Sequence, residues 1–118
     1  MTKFGEASEK AIQESIMQYL RLKGYYCQRM NSGMINTMRA NGSHGRVRLS
    51  PPGTPDIMAF KAKKIELGFA TVTDLLFIEV KKPGKKPTSL QEFKMRELEE
   101  YGARCVVAHG VEELEGVV

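Results

Sequence analysis

Tryptophan is absent from this chain, cysteine and histidine each occur only twice, and no apolar run reaches the length of a membrane-spanning helix. Cys27 and Cys105 lie in apolar, strand-like surroundings without a CxxC pair, so two buried, reduced thiols are expected rather than a disulfide. With His44 and His109 as the whole stock of imidazole, a structural zinc site is not expected. The opening Met1-Thr2-Lys3-Phe4-Gly5-Glu6 has no apolar stretch of the signal-peptide kind, and a cytoplasmic location is expected. Internal repeats and low-complexity linkers are also missing. The 118 residues suffice for one hydrophobic core, not two, so residues 1–118 are read as a single domain. Hydrophobic and charged fractions of 42% and 27% are those of a globular chain rather than a disordered one.

Acidic side chains are in deficit, 14 against 18 lysines and arginines, which leaves a net charge of +4. The distribution says more than the sum. Arg39, His44, Arg46 and Arg48 fall in one Gly/Asn-rich segment, and Lys81, Lys82, Lys85 and Lys86 cluster just past a strand, whereas residues 112–115 are acidic. Such segregation suits a surface with one side turned to a polyanion.

Residues 8–23 read as a helix capped by Ser8, with Ile12, Ile16, Tyr19 and Leu20 as its apolar stripe and Gly24 as its stop. A short strand is expected over 25–30, then a polar, basic hairpin around Asn41-Gly42 with arms 34–40 and 46–49. Asp56 to Phe60 starts another strand after the Gly53-Thr54-Pro55 turn, and residues 61–74 form a charged connection extending that hairpin. Leu75 to Lys81 is the most strand-like run. A second helix capped by Thr88 or Ser89 reaches Tyr101, a last strand spans 104–109, and 111–115 offer one more helical turn. The order helix, strand, strand, strand, helix, strand predicts an α/β fold with a central mixed sheet flanked by helices.

In the strand 75–81, Leu76, Ile78 and Val80 share one face, and Phe77, Glu79 and Lys81 the other. A carboxylate inside an apolar strand is costly unless it is paired or ligates a cation. If 56–60 and 75–81 pair, Asp56 approaches Glu79, and Mg²⁺ between the two carboxylates relieves their repulsion. The ion acidifies a bound water and neutralises a scissile phosphate, while Lys81 orients the water or stabilises the developing oxyanion. The plain alternative is an ordinary cross-strand Glu–Lys pair. Glu9 lies on the side of the first helix that carries Ile16 and Leu20, whereas Glu14 points away and reads as a solvated charge. Gln91 shares the Met95 and Leu98 stripe of the second helix, where an amide needs a partner.

Pro55-Asp56, 22 intervening residues and a strand ending Glu79-Val80-Lys81 resemble the PD-(D/E)XK nuclease superfamily, and within it the VRR-NUC (virus-type replication-repair nuclease) family. The resemblance extends over residues 8–110, through Ser8-Glu9-Lys10-Ala11-Ile12, Arg29 to Gly33, Gly45-Arg46-Val47-Arg48, Gly53-Thr54-Pro55-Asp56-Ile57, Glu79-Val80-Lys81-Lys82-Pro83-Gly84 and Gln91-Glu92-Phe93. It implies a PD-(D/E)XK (restriction endonuclease-like) core and a metal site of Glu9, Asp56, Glu79 and the Val80 backbone carbonyl. By the same resemblance Lys81 and Gln91 are catalytic beside Asp56 and Glu79, and Asn31 and Ser32 form a polar loop near the site. Arg39, Arg46, Arg48, Lys82, Lys85 and Lys86 are candidate phosphate contacts. The implied activity is a Mg²⁺/Mn²⁺-dependent DNA endonuclease. Branched DNA, Holliday junctions first, is the expected substrate in repair, recombination or phage replication, cut by a homodimer whose two-fold axis matches that of the junction. The competing expectations are a DNA-binding module without catalysis and a flap, single-strand or restriction-type nuclease.

Overall fold

A computed structural model of the protein describes residues 7–30, 34–48, 50–65, 68 and 70–118. The element order is α1 (Glu9–Leu22), β1 (Tyr26–Arg29), β2 (Met34–Met38), β3 (His44–Arg48), β4 (Ile57–Lys64), β5 (Thr71–Val80), α2 (Ser89–Glu100) and β6 (Arg104–Ala108). A 3₁₀ turn, Val111–Leu114, follows. Strands β1, β4, β5 and β6 form one sheet in that order, antiparallel except for the parallel pair β5 and β6 that α2 connects. Strands β2 and β3 form a separate two-stranded sheet instead of joining the central one.

Side-chain alternation places the core. Ile57, Ala59, Leu76, Ile78 and Val80 turn to the α1 side and pack against Ile12, Ile16, Met17 and Leu20, closed by Ala108 and Leu114. Phe77 and Met95 are buried on the opposite, α2 side, as period-2 alternation in β5 requires. The expected elements recur with shifted ends. β5 begins at Thr71 rather than Leu75, because the charged residues 61–64 continue β4 and pair with 71–74. The hairpin arms stop at Met38 and His44, since Arg39 N–H donates to the Ser43 carbonyl at 2.7 Å and closes a five-residue turn. Ser8 caps α1 as expected, accepting from the Ala11 N–H at 3.1 Å. Cys27 is buried and Cys105 half-buried, and both thiols are free.

Candidate active site

The site assembles where β4 begins and β5 ends. Ahead of it Thr54 is tied back to the Pro51 carbonyl by its hydroxyl at 2.6 Å, which shapes the turn leading to the buried Pro55. Gly53 in that turn has φ +82°, and a Cβ there would lie 2.9 Å from the Leu90 carbonyl oxygen, so only glycine lets the turn pack on the start of α2. Asp56 follows, held at both ends. Its carbonyl accepts from the Met30 N–H at 2.7 Å, and its Oδ2 accepts from the Val80 N–H at 2.7 Å. The register Ile57↔Ile78, continued one step, sets Asp56 opposite Glu79.

Glu79 is 2% exposed and is the one charged side chain among the described residues to be fully buried. Its Oε1 accepts from Gln91 Nε2 at 3.0 Å and lies 3.8 Å from Lys81 Nζ. Its Oε2 is buried and meets no hydrogen-bond partner among the described residues. Burial, then the neighbouring Asp56 carboxylate, push the Glu79 carboxyl up to about 8, against the pull of Lys81; the Glu9 charge adds to the rise. Lys81 itself is mostly buried, with a side chain 17% exposed, and its N–H joins the Ala108 carbonyl at 3.1 Å.

Gln91 is fixed twice. Its Oε1 accepts from the Thr88 N–H at 2.9 Å while its N–H donates to the Thr88 hydroxyl at 3.2 Å, a capping box that starts α2. The free end of the amide is thereby aimed at Glu79. The Thr88-Ser89-Leu90-Gln91 spacing is the sequence signature of this box. In a strand the N–H and C=O of one residue leave the same edge, so the Val80 carbonyl projects to the side where its N–H meets Asp56.

Asp56, Glu79, Lys81 and Gln91 are therefore brought together. Glu9, first residue of α1 and half-buried, stands near enough for its charge to act on Glu79. Yet no group of three His, Cys, Asp or Glu side chains gathers closely enough to hold a metal ion among the described residues. Glu14 is exposed and only loosely paired, 4.0 Å from Arg29. Of the basic set, Arg39 and Arg46 are exposed on the hairpin, Lys85 and Lys86 are exposed past β5, and Lys82 is half-buried. Arg39 also braces its own turn, with Nη1 donating to the His44 carbonyl at 3.2 Å. Asn31, Ser32 and the Arg48 side chain lie outside the described residues. No helix of the described residues is long and apolar enough to cross a membrane.

Two ionic groupings went unread in the sequence. Arg104 donates to both carboxylate oxygens of Asp74, at 3.0 and 2.9 Å, and Tyr25 Oη donates to the same carboxylate at 2.8 Å. His109 sits between Lys85 and Glu113. The Asp74 contacts and the His109–Lys85 contact span many residues of chain, for which local pattern carries no signal, whereas His109 and Glu113 are only four residues apart.

Among curated proteins no sequence match reaches significance. A solved structure titled "VRR_NUC domain" shares the fold with a TM-score of 0.57 over 94% of this chain and 95% of that chain, at 16% identity. Its likeness agrees with the mixed four-stranded sheet and two helices of an α/β, PD-(D/E)XK-like core. Residues 7–112 match the model of the VRR-NUC domain, and with nearly the whole chain so covered the protein belongs to the VRR-NUC family of nucleases.

Proposed function

We propose that the chain is a Mg²⁺- or Mn²⁺-dependent endonuclease that hydrolyses phosphodiester bonds in branched DNA, four-way junctions first, as a homodimer. The observation that carries the metal dependence is the buried Oε2 of Glu79, which meets no hydrogen-bond donor among the described residues and sits beside the Asp56 carboxylate. A buried carboxylate oxygen without a donor is a position for a cation rather than for a structural hydrogen bond. The donor set is hard oxygen, which suits magnesium, an ion that takes one or two carboxylates and keeps several waters. Asp56, Glu79 and the Val80 carbonyl would hold it, with Glu9 as the outer acid acting through water.

Such an ion supplies positive charge at the scissile phosphate and acidity for a water molecule. The protein does the rest by placement. The Val80 N–H fixes one oxygen of Asp56, and Gln91 fixes one oxygen of Glu79, so each carboxylate has its remaining oxygen oriented. Lys81, rooted at its backbone to β6 and drawn to Glu79, presents its ammonium where negative charge grows on the phosphoryl oxygens. Arg39, Arg46, Arg48, Lys82, Lys85 and Lys86, with Asn31 and Ser32, are assigned to the DNA backbone.

The test is cleavage of end-labelled four-way junction, flap, duplex and single-stranded DNA with Mg²⁺ or Mn²⁺, against EDTA. Junction cleavage that EDTA abolishes and that Asp56→Ala or Lys81→Ala removes is the expected result. Junction binding without cleavage by the wild type would leave a DNA-binding module instead. Preference for a flap or single strand would move the substrate while keeping the chemistry. A light-scattering mass of one chain would overturn the dimer.

A further inference from the structure

The segment after Lys81 is pinned at both ends to the end of β6. On one side the Lys81 N–H donates to the Ala108 carbonyl at 3.1 Å, and on the other His109 Nε2 lies 2.8 Å from the Lys85 carbonyl oxygen. Between these anchors the Lys85 N–H closes a turn on the Lys82 carbonyl at 3.0 Å, with Gly84 at φ +83°. The other face of the imidazole is equally committed. His109 Nδ1 lies 2.7 and 3.2 Å from the two oxygens of Glu113, and the His109 N–H donates to the same carboxylate at 2.9 Å.

Both ring nitrogens thus face groups that only accept hydrogen bonds. Neutral imidazole carries one N–H and can satisfy one of them; the imidazolium satisfies both. We infer that His109, as an imidazolium, is a positioning residue that clamps the basic loop 82–86 against β6 and sets its lysines toward the DNA backbone. The inference rests on the proposed DNA-facing role of Lys82, Lys85 and Lys86. The surroundings leave the clamp little other support. A concavity of about 400 Å³ bounded by Pro83, Lys86 and Pro87 opens on one side of His109, and one of about 370 Å³ bounded by Ala11, Ser15 and Glu112 on another. The charged groups facing the ring are Glu113 and Glu112 from the 3₁₀ turn and Lys85 and Lys86 from the loop; the residues lining its cavity from α1, Ala11, Ile12 and Ser15, and from just ahead of it, Ala7, are uncharged.

The Lys85 carbonyl first, then Glu113, raise the His109 pKa above the usual 6.5. The clamp is therefore complete below that value and is lost as pH rises through the elevated one. The experiment is fluorescence-anisotropy titration of a labelled four-way junction in Ca²⁺ from pH 6 to 8.5, with wild type, His109→Gln and Glu113→Gln. Variants are compared at each pH, so the titration of Glu79, common to all, drops out. Wild type should bind about threefold or more tightly than His109→Gln at pH 6, with a salt slope greater by about one phosphate contact, and the two should converge by pH 8.5. Glu113→Gln should converge with His109→Gln at lower pH. Parallel pH profiles for wild type and His109→Gln overturn the clamp. Failure of the wild type to bind any DNA instead overturns the DNA reading. The clamp is then judged by NMR titration of the imidazole, where a His109 pKa above 6.5 that falls in Glu113→Gln sustains it and a value at or below 6.5 overturns it.

Discussion

Oε2 of Glu79 is a single atom on which stability and activity pull in opposite directions. In the metal-free protein a carboxylate there is penalised by burial and by Asp56, and its pKa near 8 measures the penalty. The sign follows from linkage. The fold binds the Glu79 proton more tightly than the unfolded chain, so stability is greatest below about 4.5 on this account and falls as pH rises toward about 8. Glu79→Gln keeps the acceptor for Gln91 and removes the charge. In EDTA at pH 8 it should stabilise the protein by about 1–3 kcal/mol, a gain that shrinks toward pH 5, as thermal melts across pH would show. Added Mg²⁺ should raise the melting temperature of the wild type and leave that of Glu79→Gln unmoved, while the variant loses cleavage. A wild type indifferent to Mg²⁺ would contradict the metal site. The cost of this residue was legible in the sequence, because a glutamate between isoleucine and valine in an apolar strand has to be paired or ligate a cation, but an ordinary Glu–Lys pair was an equally local explanation. Gln91 was only half legible, since its position on the Met95 stripe announced a partner but not which one.

At the scale of elements, sequence pattern foretold the β4–β5 hairpin, the β5–α2–β6 connection and the caps, because alternation and capping are local. It read 61–74 as a charged connection extending the hairpin but did not mark the strand ends, since Lys61, Lys63 and Lys64 look like loop residues and become strand by pairing with 71–74. The basic hairpin around Asn41-Gly42 was legible as an excursion apart from the central sheet, and β2 and β3 do pair only with each other. Helix α2 shows how a local device serves the site. The Thr88 capping box both starts the helix and holds the amide that reaches Glu79. Thr88→Ala should therefore cost about 1 kcal/mol in denaturant unfolding. It should also lower the cleavage rate more than that loss of folded protein explains, because Gln91 loses one of its two restraints. Thr88→Ser, which restores the hydroxyl, should recover both. Equal cleavage by Thr88→Ala and wild type under conditions where both are folded would separate the cap from the site.

Across the whole molecule, the two charged centres lie toward opposite ends of β5. Glu79 and Val80 close the strand at the candidate site, whereas Asp74 lies near its beginning, joined by Arg104 from β6 and by Tyr25 just ahead of β1, with Arg104 also donating to the Val117 carbonyl at 2.9 Å. The distant cluster ties three strands and the C-terminal segment together without touching the site, so fold and chemistry are separable by mutation. Arg104 holds the Asp74 carboxyl below its usual 3.8 against the opposing effect of burial, and Tyr25 adds a smaller lowering. A depressed carboxylate contributes stability that is present above the unfolded pKa and lost as pH falls through the folded one. Asp74→Asn should thus destabilise the protein at pH 7 by about 1–2 kcal/mol, discounted because Arg104 is partly exposed. The difference from wild type should shrink only below pH 3.8. Its cleavage rate per folded molecule should match wild type, since no contact of Asp74 reaches Asp56, Glu79 or Lys81. Urea unfolding across pH and single-turnover cleavage of the same preparations provide the check. A variant that unfolds normally but cuts slowly would mean that the two ends of β5 are coupled through the sheet, with the end at the candidate site responding to strain imposed at the other.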